Sequence, residues 1–131
     1  ATKIDDFFRF DKILLDAPCS GSGTLNNENI NSFSKELINN SIKIQEQLLI
    51  KALNILKPNS TMVYSTCSVL KEENEEILKK VLTKFNAEII EIDDTLFKDV
   101  PLLPVSIKGT ICVCPNELYE GFFIAKIKKN N

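Results

Sequence analysis

The chain has 131 residues, 44% of them hydrophobic and 26% charged, with a net charge of −2 at neutral pH. This composition fits one ordinary globular domain with one core, contains no uncharged apolar run of the roughly 18 residues a membrane helix needs, and provides no basic surface for gripping a phosphate backbone unaided. Histidine is absent, which removes the commonest general base and the commonest zinc ligand and leaves cysteine, acids, lysine and tyrosine for any chemistry.

The opening "ATKIDDFFRF" has neither the basic flank nor the apolar core of a signal peptide, so an intracellular setting is expected. "KILLD", Lys12 to Asp16, is apolar without polar alternation, as in a central strand of a parallel sheet buried on both faces. A polar loop, "APCSGSGTLNNENINSF", follows. Leu37, Ile44, Leu48, Leu49, Ala52, Leu53 and Leu56 then recur at helical spacing and predict a helix from Ser34 to Leu56, stopped by "KPNS". "TMVYST", Thr61 to Thr66, is β-branched and aromatic and reads as a second strand. "SVLKEENEEILKKVLTKF" carries one apolar stripe, with acids early and lysines late as a helix dipole prefers, and its "EENEE" reads as a solvated helix start. "AEIIEI" is a third strand. A proline-containing stretch from Asp93 to Gly109 shows no period, and "TICVC" with "GFFIAKI" reads as a terminal hairpin. The strand–helix–strand–helix–strand order predicts an α/β layer with parallel strands and right-handed crossovers.

In such sheets ligands bind beyond the carboxyl ends of the strands. Cys19 and Cys67 both fall just past such ends, on strands consecutive in the chain, so two thiols are expected in one cleft. Their spacing, with Cys112 and Cys114, is far from the dense frameworks of small secreted domains, and reduced thiols are expected. No C-x-x-C redox motif occurs. Cys112 and Cys114, as C-x-C in an apolar strand, read as core fillers, and no metal site is expected. Taken singly, a cysteine in a strand-end turn is more often a small core residue, and an acid such as Asp16 is commonly a loop cap.

The surrounding residues discriminate. "DAPCSGSG" followed by "YSTCSVLKEENEE", with "IQEQLLIKALNILKP" between them and "EGFFIAKIKK" near the end, resembles the C-terminal half of the catalytic domain of the Nop/Sun family of RNA cytosine-C5 methyltransferases. The resemblance covers nearly the whole chain. It implies the C-terminal part of a Rossmann-like S-adenosylmethionine-dependent methyltransferase sheet, closed by an antiparallel hairpin, whose substrate is RNA, ribosomal or transfer. It implies Cys67 as the thiolate that adds to carbon 6 of cytosine, making carbon 5 nucleophilic. Cys19 would release the product as the general base or by activating it. Asp16 would hold the cytosine edge or the cofactor, with Pro18 beside the cofactor. Ser20, Gly21 and Gly23 would let a flipped base approach the backbone.

The family's upstream half, with its glycine-containing cofactor loop and the acids for ribose and adenine, has no counterpart in this sequence. Residues 1–131 therefore read as a partial catalytic domain, with little or no activity expected of it alone. The family often carries a basic residue and a Pro-His pair before "GFF", where this chain reads "GTICVCPNELYEGFF". A sheet cut beside "KILLD" exposes an apolar edge, which predicts self-association or dependence on a covering chain. The expected location is nucleolar or nuclear in a eukaryote and cytoplasmic in a bacterium. The alternative is a non-catalytic RNA- or protein-binding module that keeps the fold, although such a module has no need of Asp16, Cys19 and Cys67 together.

Overall fold

A computed structural model of the chain describes residues 3–131. Five strands form one mixed sheet with two principal helices. β1 (Phe10–Asp16) leads through a loop with two short 3-10 turns to α1 (Lys35–Ile55). β2 (Leu56–Thr66), α2 (Glu75–Leu82) and β3 (Ala87–Ile90) follow. β4 (Ile111–Val113) and β5 (Phe122–Lys129) close the fold as an antiparallel pair with Ile111 opposite Ile124, the expected terminal hairpin.

The sheet order is β1-β2-β5-β3. β1 and β2 are parallel, in register from Lys12 opposite Thr61 to Asp16 opposite Ser65. β5 runs antiparallel to both β2 and β3 and lies between them. β3 therefore keeps the direction expected of a parallel crossover but bonds to the last strand instead of to β2. The alternating buried positions Phe123, Ala125 and Ile127 carry β5 through the core. There they meet Leu49, Leu53, Leu78 and Val81 of the helices and Met62 and Tyr64 of β2. The Tyr64 and Phe123 rings meet edge to face, with centroids 6.5 Å apart.

Three local departures from the sequence reading have physical causes. β2 begins at Leu56, not Thr61, because "KPNS" is extended but thrown out of the ladder: pairing jumps from Phe10 opposite Leu56 to Lys12 opposite Thr61, and Asn59 takes a left-handed φ of 63°. α1 matches its expected span, and Ser34 caps it by accepting from the Leu37 amide. Its buried stripe, however, runs through Ser41 and Gln45, while Ile44 is exposed. α2 is short because the side chains before it claim its backbone: Ser68 Oγ accepts from the Leu70 amide and Asn74 Nδ2 donates to the Ser68 carbonyl. "EENEE" is correspondingly no solvated start, since Glu73, Asn74 and Glu75 are all buried.

The "KILLD" strand was expected to be covered on both faces. It is instead the outer strand of the sheet, with Leu15 buried and Leu14 74% exposed. Phe7 and Phe8 beside it are also exposed. The apolar edge expected from the sequence is thus present. No helix among the described residues is long and apolar enough to cross a membrane.

Candidate active site

Parallel pairing of β1 with β2 brings their carboxyl ends side by side, and each strand then turns over the sheet edge at a cysteine. The Ala17 amide still donates to the Ser65 carbonyl at 2.9 Å, so the pairing continues to the threshold of the turn. Beyond it the chains meet again: the Gly23 amide donates to the Cys67 carbonyl (2.9 Å) and the Gly121 amide to the Gly23 carbonyl (2.8 Å). This stacking explains Gly23. A Cβ there would lie 2.4 Å from the Gly121 oxygen and 2.7 Å from that of Cys67. Gly23 is buried by protein backbone, a packing requirement in place of the open approach to a base read from the sequence. Gly21 is partly exposed at φ 77°, a conformation that favours glycine.

The two thiols converge as expected. Cys19 Sγ lies 2.8 Å from Cys67 Sγ, both half-buried and free of disulfides. Burial, reinforced by the contact with Cys67, pushes the Cys19 thiol up to about 12, so it holds its proton at neutral pH and can donate an S–H to the neighbouring sulfur. Asp16 stands at the same end of the sheet, exposed, with Oδ1 accepting from Ser65 Oγ at 2.9 Å. Among the described residues nothing donates to its Oδ2.

Ser20 was read as a contact for substrate. It is buried, and its amide and hydroxyl donate to Glu73 Oε1 and Oε2, each at 2.7 Å. Pro18 was expected beside the cofactor, and its carbonyl is already engaged within the protein. Gln45 Nε2 takes it at 2.9 Å and also reaches Glu73 Oε1 at 3.2 Å. Ser68 Oγ donates to Glu73 Oε2, and Tyr64 Oη donates to the Glu73 carbonyl at 2.9 Å. Gln45 and Ser68 were absent from the sequence reading, and Glu73 was taken for an exposed charge. A signal for Gln45 existed: with Ser41 it continues the Leu48, Leu49 and Ala52 stripe at helical spacing. Glu73 lies within a run of acids and gives no such sign.

A surface cavity of about 520 Å³ is lined by residues between Glu91 and Cys112 and includes none of the expected site residues apart from Cys112. Asp16, Cys19 and Cys67 lie instead at the strand ends.

Comparison with known proteins agrees with this geometry. The family model described as 16S rRNA methyltransferase RsmB/F matches residues 1–128. The ribosomal RNA small subunit methyltransferase F of Psychromonas ingrahamii is 39% identical over 125 residues, 92% of this chain and 26% of the relative. That of Aliivibrio salmonicida is 38% identical over 93% of this chain and 26% of the relative. Among solved structures, NSun6 from Pyrococcus horikoshii with SFG superposes with a TM-score of 0.79 at 28% identity, over 95% of this chain and 31% of that one. A methyltransferase homolog protein from Pyrococcus horikoshii gives 0.68 at 37% identity, over 93% and 40%. The chain thus spans about a quarter of the length of these curated relatives. A match that runs through both cysteine turns and on to the last strand establishes membership: the chain belongs to the RsmB/F family of 16S rRNA methyltransferases.

Proposed function

We propose that this chain is the target-base half of an S-adenosylmethionine-dependent methyltransferase that forms 5-methylcytosine in ribosomal RNA. The observation that carries the reading is the contact of the Cys19 and Cys67 sulfurs at the carboxyl ends of two parallel strands, beside an exposed Asp16. The small subunit named in the relatives favours ribosomal over transfer RNA as substrate. Their bacterial origin favours a cytoplasmic over a nucleolar setting.

The chain's own residues fit one side of such a cofactor. Asp16 Oδ2 is an uncommitted acceptor beyond the end of β1, suited to an amino or hydroxyl donor of the cofactor or to the exocyclic amine of cytosine. The Pro18 carbonyl, two residues further on, already accepts from Gln45 Nε2, so a cofactor would meet the proline ring and not that oxygen. S-adenosylmethionine, when bound, supplies the methyl group. The residues here handle the ring. Cys67 Sγ uses a lone pair to bond carbon 6, and the electrons of the 5,6 double bond become available at carbon 5. Once carbon 5 carries the methyl group its proton must leave. The electrons of that C–H bond rebuild the double bond and the S–C6 bond breaks, returning its pair to Cys67. Cys19 is the group in contact with the departing sulfur and takes the release role, as base for the carbon 5 proton.

The test is covalent trapping in the full-length protein with cofactor and cytosine-containing ribosomal RNA, resolved on a denaturing gel. Cys19→Ala should accumulate a protein–RNA adduct, and Cys67→Ala should form none. If both behave as wild type, the two-cysteine reading fails and a non-catalytic RNA- or protein-binding module replaces it.

The open edge of β1, with Leu14, Phe7 and Phe8 exposed, fits a neighbouring strand that completes the cofactor pocket in the working protein. Without such a neighbour the same edge should drive the 131-residue chain to self-associate. A sharp monomer peak in gel filtration at high concentration would contradict this.

A further inference from the structure

We propose that Glu73 is the positioning residue of this site: one buried carboxylate that sets the separation of the two cysteines by holding the residue that follows each. The inference deepens the two-cysteine reading and rests on it for its catalytic consequence, though not for its geometry. Ser20 follows Cys19 and gives Glu73 two hydrogen bonds, from its amide and its hydroxyl. Ser68 follows Cys67 and gives it a third, from its hydroxyl. Gln45, from the buried face of α1, gives a fourth and with the same amide fixes the Pro18 carbonyl, just before Cys19.

Every one of the four partners is a donor, so the arrangement suits a carboxylate and no neutral side chain of the same shape. The Ser68 hydroxyl can donate because its lone pairs are taken from the other side. The Leu70 amide donates to it at 3.1 Å, and Ser22 Oγ, itself accepting from the Val69 amide at 3.0 Å, lies 2.9 Å away. The relay has one consistent direction, from backbone amides through two serine hydroxyls into Oε2. Glu73 is fully buried, so these bonds do not compete with water. Its own backbone is anchored by the Tyr64 hydroxyl on β2. Three segments far apart in sequence thus share one acceptor, and the Cys19–Cys67 contact of 2.8 Å is set by their common attachment.

In Glu73→Gln the shape is kept but an acceptor oxygen becomes an NH₂ donor, which faces hydroxyl and amide donors. The proposal predicts that the two thiols drift apart while the fold persists. Two readouts in the full-length protein separate this from general damage. The first is diamide oxidation, in which two thiols lose two protons and two electrons to the reagent and form the Cys19–Cys67 disulfide, followed by peptide mapping. Glu73→Gln should slow that linkage at least tenfold, with the reactivity of Cys114 unchanged. The second is single-turnover methylation of ribosomal RNA: kcat should fall at least tenfold with KM for RNA within about twofold. Ser68→Ala, which removes one bond only, should show smaller effects that are not additive with those of Glu73→Gln.

Unchanged disulfide and methylation rates in Glu73→Gln, with Cys19→Ala still trapping an adduct, overturn the proposal and leave the two-cysteine reading intact. Slowed disulfide formation with no adduct in any variant supports the positioning role and removes the methylation reading. Equal losses at Cys114 and in the melting transition overturn the positioning role in favour of a purely structural one.

Discussion

The four cysteines form two pairs that differ in how the fold brings their sulfurs together. Cys112 and Cys114 are two residues apart at one short strand. Cys112 is packed into the core, its thiol pushed up to about 11 by burial and by the nearby Glu75, and the Cys114 thiol reaches the Pro115 carbonyl. Cys19 and Cys67 are 48 residues apart, yet their sulfurs touch, because parallel strands deliver them to one end of the sheet. Closeness in sequence leaves Cys112 in the core and Cys114 half-buried at its margin, and closeness through topology brings two sulfurs into contact. Cys112 is held by apolar contact and Cys114 stays half-buried outside the core, while the second pair sits over the hydrogen-bonded Glu73 carboxylate. Raised thiol pKa values occur in both pairs, so titration alone does not distinguish a reactive cysteine from an inert one.

The contrast can be broken by exchanging roles. Cys67→Ala should abolish adduct formation and cost on the order of 10³-fold or more in methyl transfer, measured in single turnover. Cys112 or Cys114 changed to alanine should leave that rate within about twofold. A larger effect at Cys112 than at Cys67 would invert the assignment. The next effect concerns pH. Cys19 holds its proton up to about pH 12, so its thiolate fraction rises roughly tenfold per pH unit below that value. Release of methylated product by the wild-type enzyme should therefore accelerate from pH 7 to 9 without reaching a plateau. A flat profile would remove Cys19 as the base and leave it as a hydrogen-bond donor to Cys67. The smallest effect is on stability: Cys112→Ala, which empties part of a packed site, should cost about 1 kcal/mol in denaturant unfolding with adduct chemistry intact.

Much of this was legible because two kinds of signal coincided. Apolar runs and helical stripes gave β1, α1 and the terminal hairpin, and the ends of the first two strands gave the meeting of Cys19 and Cys67. The position of β5 was not legible, since no local pattern distinguishes a strand that closes an edge from one that inserts between two others. Glu73 was missed for a related reason. A carboxylate in an acidic run reads as a surface charge, and its burial depends on donors from Ser20, Gln45 and Ser68, which only the assembled fold collects. Ser20 and Gly23 were read in the reverse sense, as open to substrate. A serine and a glycine in a flexible-looking loop give no indication that a carboxylate and two carbonyls already occupy their surroundings.

The place of β5 also constrains the order of events during synthesis. Phe122–Lys129 is made after the other four described strands and pairs with β2, β3 and β4. Until it leaves the ribosome, β1 and β2 have each other, while β3 and β4 have no ladder to join. At roughly 5 to 20 residues per second, the interval between Thr66 and Phe122 lasts about 3 to 11 s. For that time one side of β2, apolar at Met62 and Tyr64, is an open template. A nascent chain halted just before Phe122 would hold the β1–β2 parallel pair while β3 and β4 still lacked the strand they both join.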